Sequence, residues 1–234
     1  MITGFDHLAL TADDFSSDDQ ILRESGYKQT FYHADIPNPT NKRDLMHRWS
    51  ETHTLAMYER VPGVPIELID YGHLRGGDTR YFPMNHSLCE GLELAVSEEV
   101  LDTFDSTAGE IDQDLFSVGA KTGDPSASRD FWRVLGFERI DDRRLVFKPP
   151  LGTGLEIVLI EDDCHGKKTS LDTSGCPCVA FVTSSMENEL RRFESQGYET
   201  GPIDSIKFPE KTLQVSFLIG PSGEPVELVA PITE

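Results

Sequence analysis

The sequence predicts an α+β fold that is assembled from repeated units of one strand, one helix and three further strands. In three segments an apolar strand opens the unit, and a glycine followed by an aromatic residue lies 19 positions after the opening residue. A later strand of each segment carries a glutamate between apolar neighbours. Internal repeats of this kind constrain a fold more strongly than a single motif does. The opening residues are His7, Ser117 and Cys178, the glycines are Gly26, Gly136 and Gly197, and the glutamates are Glu67, Glu156 and Glu227.

The first unit occupies residues 1–72 and begins with a strand over residues 5–11, where leucine alternates with other residues as in a half-buried strand. Two aspartates after this strand offer helix N-caps, and Gly26 is a natural helix stop. The proline-containing residues 36–41 are predicted to form a loop. The remaining strands are predicted over residues 29–34, 53–60 and 66–71.

The second unit, residues 114–161, has the clearest helix signals. Asp124 followed by Pro125 places a capping side chain and a proline where helix starts prefer them. Phe131 and Trp132 supply the apolar face that this helix is expected to bury. Two strands are predicted after the helix, over residues 144–148 and 154–160.

The third unit, residues 178–230, repeats this order with a helix over 186–196 and strands over 213–219 and 226–229. Residues 89–110 repeat the start of this pattern without its later strands, and we interpret them as a degenerate fourth unit. The chain is therefore expected to divide into two halves. Residues 1–110 would hold the complete first unit and the degenerate unit at 89–110, and residues 111–234 would hold a pair of complete units.

The charge balance limits the classes of partner. The 41 acidic and 21 basic side chains give a net charge of -20, which disfavours nucleic acids and anionic membrane surfaces. No apolar stretch of the sequence approaches the ~18 residues of a membrane span. These features predict a soluble, cytoplasmic protein with a small-molecule substrate or ligand, and a homodimer is one option for its assembly.

The four cysteines are too few and too unevenly spaced for a disulfide framework. A zinc site built from the segment that contains three of them is disfavoured, because its spacing differs from the usual two-residue knuckle. Incidental thiols in a loop are the simpler interpretation. The residues concerned are Cys89, Cys164, His165, Cys176 and Cys178.

Two phrases of the sequence, residues 124–137 and residues 220–228, are similar to the commonest motifs of the vicinal oxygen chelate superfamily. This superfamily includes glyoxalase I, bleomycin-resistance proteins and extradiol dioxygenases. The resemblance covers nearly the whole chain except residues 73–88. It implies a glyoxalase-like fold in which repeated βαβββ units form curved mixed β-sheets, with three complete units and one degenerate unit. One fold hosts many reactions, so the motifs specify the fold and leave the chemistry open.

In the family, polar residues on the first and last strands of paired units point into a cup and hold a divalent metal. Matched onto this sequence, the resemblance implies that His7 and Glu67 are the metal ligands and the catalytic pair. Ser117 and Cys178 stand where a two-histidine iron site would need histidines, so Glu156 and Glu227 are expected to be structural and function is expected in the N-terminal half. A third ligand could come from His33, His47, His53, His73 or His86.

Two functions follow from this pattern. The first is an enzyme with lyase, isomerase or dioxygenase chemistry, in which His7 and Glu67 hold Fe, Mn, Ni or Zn, or act as an acid–base pair if no metal is bound. Tyr58 and Tyr71 are expected to line its cup and contact the ligand. The alternative is a metal-free protein that sequesters a small molecule, as antibiotic-resistance proteins do. A bound metal and no cofactor at all both remain open.

Overall fold

The computed structural model describes residues 1–61, 63–74, 80–83, 115–149, 154–163, 168–208 and 211–232. The first unit contains β1 (Ile2–Thr11), α1 (Phe15–Glu24), β2 (Lys28–Pro37), a 3₁₀ helix (Thr40–Leu45), β3 (Thr52–Glu59) and β4 (Ile66–Asp70). A short strand, β5 (Tyr81–Pro83), follows. The second unit contains β6 (Leu115–Thr122), α2 (Pro125–Val134), β7 (Glu138–Arg139), β8 (Arg144–Phe147) and β9 (Gly154–Glu161). The third contains β10 (Gly175–Thr183), α3 (Met186–Ser195), β11 (Glu199–Thr200), β12 (Asp204–Lys207), β13 (Thr212–Ile219) and β14 (Pro225–Pro231).

This element order confirms the predicted α+β fold of repeated units in a curved mixed sheet. The expected capping signals act as predicted, because the Asp14 carboxylate accepts backbone N–H groups at the start of α1 and Asp124 does the same at α2. Each helix is followed by a glycine with positive φ, at Gly26, Gly136 and Gly197. The degenerate unit at 89–110 and the boundary between residues 110 and 111 lie outside the described residues and stay predictions. Among the described residues, no helix has the length and apolar character needed to cross a membrane.

The first and third units share one sheet. β1 runs antiparallel to β10 with His7 opposite Ala180, and we call this pairing the seam. On the two sides of the seam, β1 pairs in parallel with β4 and β10 pairs in parallel with β14. The second unit joins through β5, which lies between β10 and β6. Within the described residues, the third unit therefore pairs directly with the first, and the second unit meets them through β5.

The glutamate strands do not have the same register in the three units. Glu67 pairs with Ala9 and Glu227 pairs with Ala180, so each lies opposite the residue two positions after its unit's opening residue. In the second unit, Glu156 pairs with the opening residue Ser117 itself. Glu156 is therefore displaced by two residues relative to the other two glutamates, although all three occupy equivalent strands.

The core lies between the helices and the convex face of the sheet. Trp132 of α2 is fully buried and its ring meets Phe181 of β10 at a centroid distance of 6.4 Å. Phe131 of α2 meets Phe193 of α3 at 5.8 Å, which joins the second and third units. Each such side chain contributes ~1.5–3 kcal/mol by leaving water. The aromatic positions predicted for the buried face of the second helix are confirmed.

A segment of the first unit, residues 39–48, is held by residues of the third unit and by Asp172, which precedes that unit; we call this segment the strap. Thr40 donates its hydroxyl to Asp204 Oδ2 at 2.7 Å, and the Asn41 side-chain amide donates to the Val215 carbonyl at 2.9 Å. At its other end, the buried carboxylate of Asp172 accepts the backbone N–H groups of His47 at 2.8 Å and of the next residue at 3.0 Å. These contacts hold the 3₁₀ helix against the end of the concave face.

The close approach of β5 to β6 generates a stability prediction. A Cβ on Gly119 would overlap the ring of Phe82, which is buried between the strands. We expect Gly119→Ala to lower the free energy of unfolding by ~1–3 kcal/mol, because an overpacked side chain has to move. Gly4→Ala is the matched control, since a Cβ at Gly4 meets nothing within 4 Å. Equal stability of the two variants in denaturant titrations would contradict the β5–β6 packing.

The strap generates a second stability prediction. Asp172→Ala leaves two partly buried N–H groups without their acceptor, and we expect a loss of about 1–3 kcal/mol with faster amide exchange at His47 and Arg48. Asp141→Ala is the control, because Asp141 also accepts two backbone N–H groups but is exposed, and its loss should be at most about 0.5 kcal/mol. Unchanged exchange in Asp172→Ala would show that this carboxylate does not hold the strap.

Candidate active site

Three buried side chains converge on the concave face beside the seam. His7 comes from β1, Glu67 from β4 and Glu227 from β14. His7 Nε2 lies 3.2 Å from Glu67 Oε2 and 3.8 Å from Glu227 Oε2. One donor atom from each residue lies within 4.8 Å of the others, which is a spacing that one metal ion can span. We call these three residues the cluster.

The imidazole of His7 is oriented from behind by its neighbour in sequence. His7 Nδ1 lies 2.7 Å from Asp6 Oδ2. Because an ionised carboxylate only accepts hydrogen bonds, Nδ1 carries the proton in this contact. Nε2 then faces the two glutamates, and neither Nε2 nor Glu67 Oε2 has a hydrogen-bond partner among the described residues. The two atoms lie 3.2 Å apart, so they face each other as an ion pair when His7 is charged.

The cluster titrates as a coupled set. Burial opposes the charged form of His7, but the carboxylates of Glu67 and Asp6 outweigh burial and hold the pKa of His7 well above its usual value. Burial likewise opposes ionisation of Glu67, and the positive charges of His7 and Lys42 outweigh it and lower the pKa of Glu67 to about 2. Burial raises the pKa of Glu227 to about 7, and Glu67 adds to the increase while Lys42 opposes it. The two glutamates are therefore chemically distinct.

The placement of Glu227 corrects the expectation that the N-terminal half alone forms the site. The parallel pairing of β14 with β10 carries Glu227 to the seam, so the cup is shared by the first and third units. Glu156 behaves as expected for a structural residue, because it accepts hydrogen bonds from Ser117 Oγ at 2.6 Å and from Arg144 Nε at 2.7 Å. Glu156 and Glu227 occupy equivalent positions in the sequence pattern, and only the strand register distinguishes their surroundings.

The prediction that Tyr58 lines the cup is wrong. Strand alternation directs Leu55 and Met57 of β3 toward the concave side and sends Tyr58 to the opposite face. There the Tyr58 hydroxyl donates to the Asp19 carboxylate and accepts from the Gln29 amide at 3.1 Å. Burial, reinforced by Asp19, raises the pKa of Tyr58 above its usual value.

Tyr71 lies behind the cluster and is not among the residues that line the cavity described below. Its ring lies 5.9 Å from Lys42 Nζ and 5.7 Å from the ring of His53. Burial raises the pKa of Tyr71 to about 12 although Lys42 opposes the increase. Tyr71 therefore belongs to the buried polar layer beside Glu67 and Glu227. It does not line the cavity, so the structure does not support the expected contact between Tyr71 and a ligand.

Lys42 is a site residue that the sequence did not reveal. It lies on the strap and is only 2% exposed, with Nζ 5.9 Å from the centroid of the Tyr71 ring. It is not among the residues that line the cavity. Burial opposes its charge, but Tyr71, Glu227 and Glu67 outweigh burial and raise the pKa of Lys42. A lysine in a polar loop carries no apolar periodicity, so no local signal marks it as buried. Only the contacts of the strap with the third unit explain its position.

The histidines proposed as a third ligand do not join the cluster where the structure describes them. His53 is buried behind Glu67, and burial together with Lys42 lowers its pKa to about 3. His73 Nε2 lies 3.2 Å from Asp172 Oδ2 beside the strap, and His33 lies at the cavity wall. His47 donates its backbone N–H to Asp172. His86, Cys89, Cys164 and His165 lie outside the described residues. Cys176 and Cys178 are buried and are not joined to each other by a disulfide.

A cavity of about 700 Å³ opens on the cluster. One wall consists of β2, β3 and β4 of the first unit, and the other consists of β12, β13 and β14 of the third unit. All three cluster residues contribute to its lining. A concave, mostly apolar space with a few convergent polar groups is the usual form of a small-molecule site.

No protein-family model matches the sequence, and no curated protein matches it. Several solved structures are similar to this chain at low identity and low TM-score. A glyoxalase I variant from Zea mays is 17% identical with a TM-score of 0.33, over 98% of this chain and 68% of that one. Methylmalonyl-CoA epimerase from Mycobacterium tuberculosis is 13% identical with a TM-score of 0.42, over 100% and 91%. A glyoxalase family protein from Enterococcus faecalis is 26% identical with a TM-score of 0.35, over 47% and 92%.

At these identities the likeness concerns the fold, and the activities named for those proteins belong to them. The fold itself is visible in the strand pairing. Each of the three units has one helix between its first strand and the rest, and pairs its first strand in parallel with its last. Two units meet through antiparallel first strands. The described residues therefore have a glyoxalase-like fold, in which repeated βαβββ units form a curved mixed sheet.

Proposed function

We propose that this protein is a small-molecule enzyme whose centre is a divalent cation held by His7, Glu67 and Glu227. The observation that carries the proposal is the convergence of donor atoms from His7, Glu67 and Glu227 within 4.8 Å of one another, all three residues lining the cavity. One imidazole and two carboxylates suit Zn, Mn, Fe or Ni, and leave coordination positions open for a substrate. The hydrogen bond from His7 Nδ1 to Asp6 resembles the outer partners that orient metal-binding imidazoles.

A divalent cation bound here would polarise a substrate carbonyl oxygen. The residues of the chain then divide the remaining work. Glu67, with its low pKa, stays ionised and would anchor the cation. Glu227, with a pKa of about 7 in the metal-free cluster, is the more basic carboxylate, and it would exchange a proton with a carbon beside the carbonyl when it is not bound to the cation. Asp6 holds the imidazole in one tautomer. This division favours isomerase or lyase chemistry by proton transfer over the dioxygenase alternative.

One observation favours the second candidate, a metal-free binding protein. Lys42 places a permanent positive charge beside Glu67 and Glu227, so the cluster already has an internal counter-ion. A cavity with that balance can hold a ligand without a metal. Metal stoichiometry of the purified protein separates the two candidates.

The metal proposal predicts one tight divalent site per chain. We expect His7→Ala and Glu227→Gln each to weaken the affinity for Mn²⁺ or Zn²⁺ by at least about 100-fold, since even partners outside the ligand set contribute ~10–100-fold. Glu156→Gln is the matched control, because Glu156 is already paired with Ser117 and Arg144 and should leave the affinity unchanged. Isothermal titration calorimetry on chelator-treated protein is the measurement. A wild type that binds no divalent ion, or a Glu227→Gln variant that binds like wild type, would refute the proposal.

The raised pKa values predict that metal affinity increases with pH. Below pH 7 both His7 and Glu227 bind a proton that a metal has to displace, so affinity should fall by ~10-fold per pH unit for each proton displaced. In the metal-free protein, folded Glu227 keeps its proton up to about pH 7, whereas the unfolded residue loses it near 4.5. The Glu227 contribution to stability therefore falls as pH rises between these values. Titrations at several pH values, with Glu227→Gln as comparison, check both trends, and pH-independent affinity would contradict them.

A further inference from the structure

The lining of the cavity combines charged and polar side chains with a group of apolar ones. Phe31 from β2 and Phe208 next to β12 meet edge to face at a centroid distance of 5.1 Å, one from each unit. Both rings, together with Met57 and Leu213, are only partly buried, so they present apolar surface to the cavity. Partly exposed apolar side chains inside a concave site mark a surface that a ligand covers.

The charges of the lining exclude one broad class of ligand. Beside Glu67 and Glu227, the lining includes the carboxylates of Asp6 and Glu59. Lys211 is the single lysine that the described residues contribute to this lining, and its Nζ lies 5.9 Å from the Phe208 ring centroid. The chain as a whole carries a net charge of -20. A polyanionic molecule would meet repulsion at the cavity and over the surrounding surface.

We propose that the ligand of this cavity is a neutral or singly charged molecule with an aromatic body, which seats against Phe31 and Phe208. Its oxygen-bearing head reaches the cluster, and this part of the assignment rests on the proposed function. Phosphorylated carriers and multiply acidic peptide thiols do not fit the charge of the lining. The volume of about 700 Å³ accommodates one or two rings together with the head.

The body of the ligand can be tested without metal. N-phenylnaphthylamine, a neutral fluorescent aromatic probe, is titrated into chelator-treated full-length protein. We expect saturable binding that weakens by about fivefold or more in Phe208→Ala and in the milder Phe208→Leu, because each removes ring contact. Phe15→Ala is the matched control, since Phe15 is also a partly buried aromatic but lies outside the cavity lining. No saturable binding, or equal affinity in wild type and both Phe208 variants, would overturn the proposal.

The head and body are then tested together in metal-loaded protein. Benzoylformate and pyruvate share a 2-oxo-carboxylate head. Benzoylformate carries a phenyl group on it, whereas pyruvate carries a methyl group. We expect calorimetry to show benzoylformate binding ~10-fold or more tightly, and the ratio to shrink to about threefold or less in Phe208→Ala. Tighter binding of coenzyme A than of benzoylformate would overturn the assignment of ligand class. If the probe binds but no metal does, the proposed metal centre fails while the aromatic body site stands.

Discussion

The antiparallel seam between β1 and β10 is the contact on which the rest of the site depends. Each of these strands carries its own parallel partner, so the seam brings β4 and β14 to either side of the same concave surface. Glu67 and Glu227 approach His7 only because both parallel registers are held relative to the seam. A slip of one residue in either pairing would turn its glutamate to the convex side.

The seam also creates an electrostatic problem, since it gathers ionisable side chains where water is scarce. Burying an ion costs several kcal/mol unless partners replace its hydration. Here His7 and Lys42 offset the charge of Glu67, whereas burial, with a smaller contribution from Glu67, raises the pKa of Glu227 to about 7. The strap is part of this balance because its anchoring to the third unit places the lysine there. The acid–base properties of the cluster therefore arise from contacts between units.

The second unit has the same sequence pattern but lacks the contacts that join the first and third units at the seam. Its glutamate is displaced by two residues, and Ser117 and Arg144 satisfy it completely on one side of the sheet. The result is a paired structural carboxylate, whereas the first and third units expose theirs to a shared cavity. All three units therefore have the same order of strands and helix. Whether a unit contributes to the site depends on which other unit it pairs with.

The sequence by itself determined the repeated units, the N-caps of the first two helices, the glycines that end all three helices, and the apolar face of the second helix. These features are local, because propensity, capping and strand period act over a few residues. Only the tertiary structure decided that the first unit pairs with the third, that Glu227 joins the cluster and Glu156 does not, and that Lys42 is buried. It also decided that Tyr58 faces the core. These outcomes depend on contacts between residues more than a hundred positions apart and on strand register, for which a local pattern carries no signal.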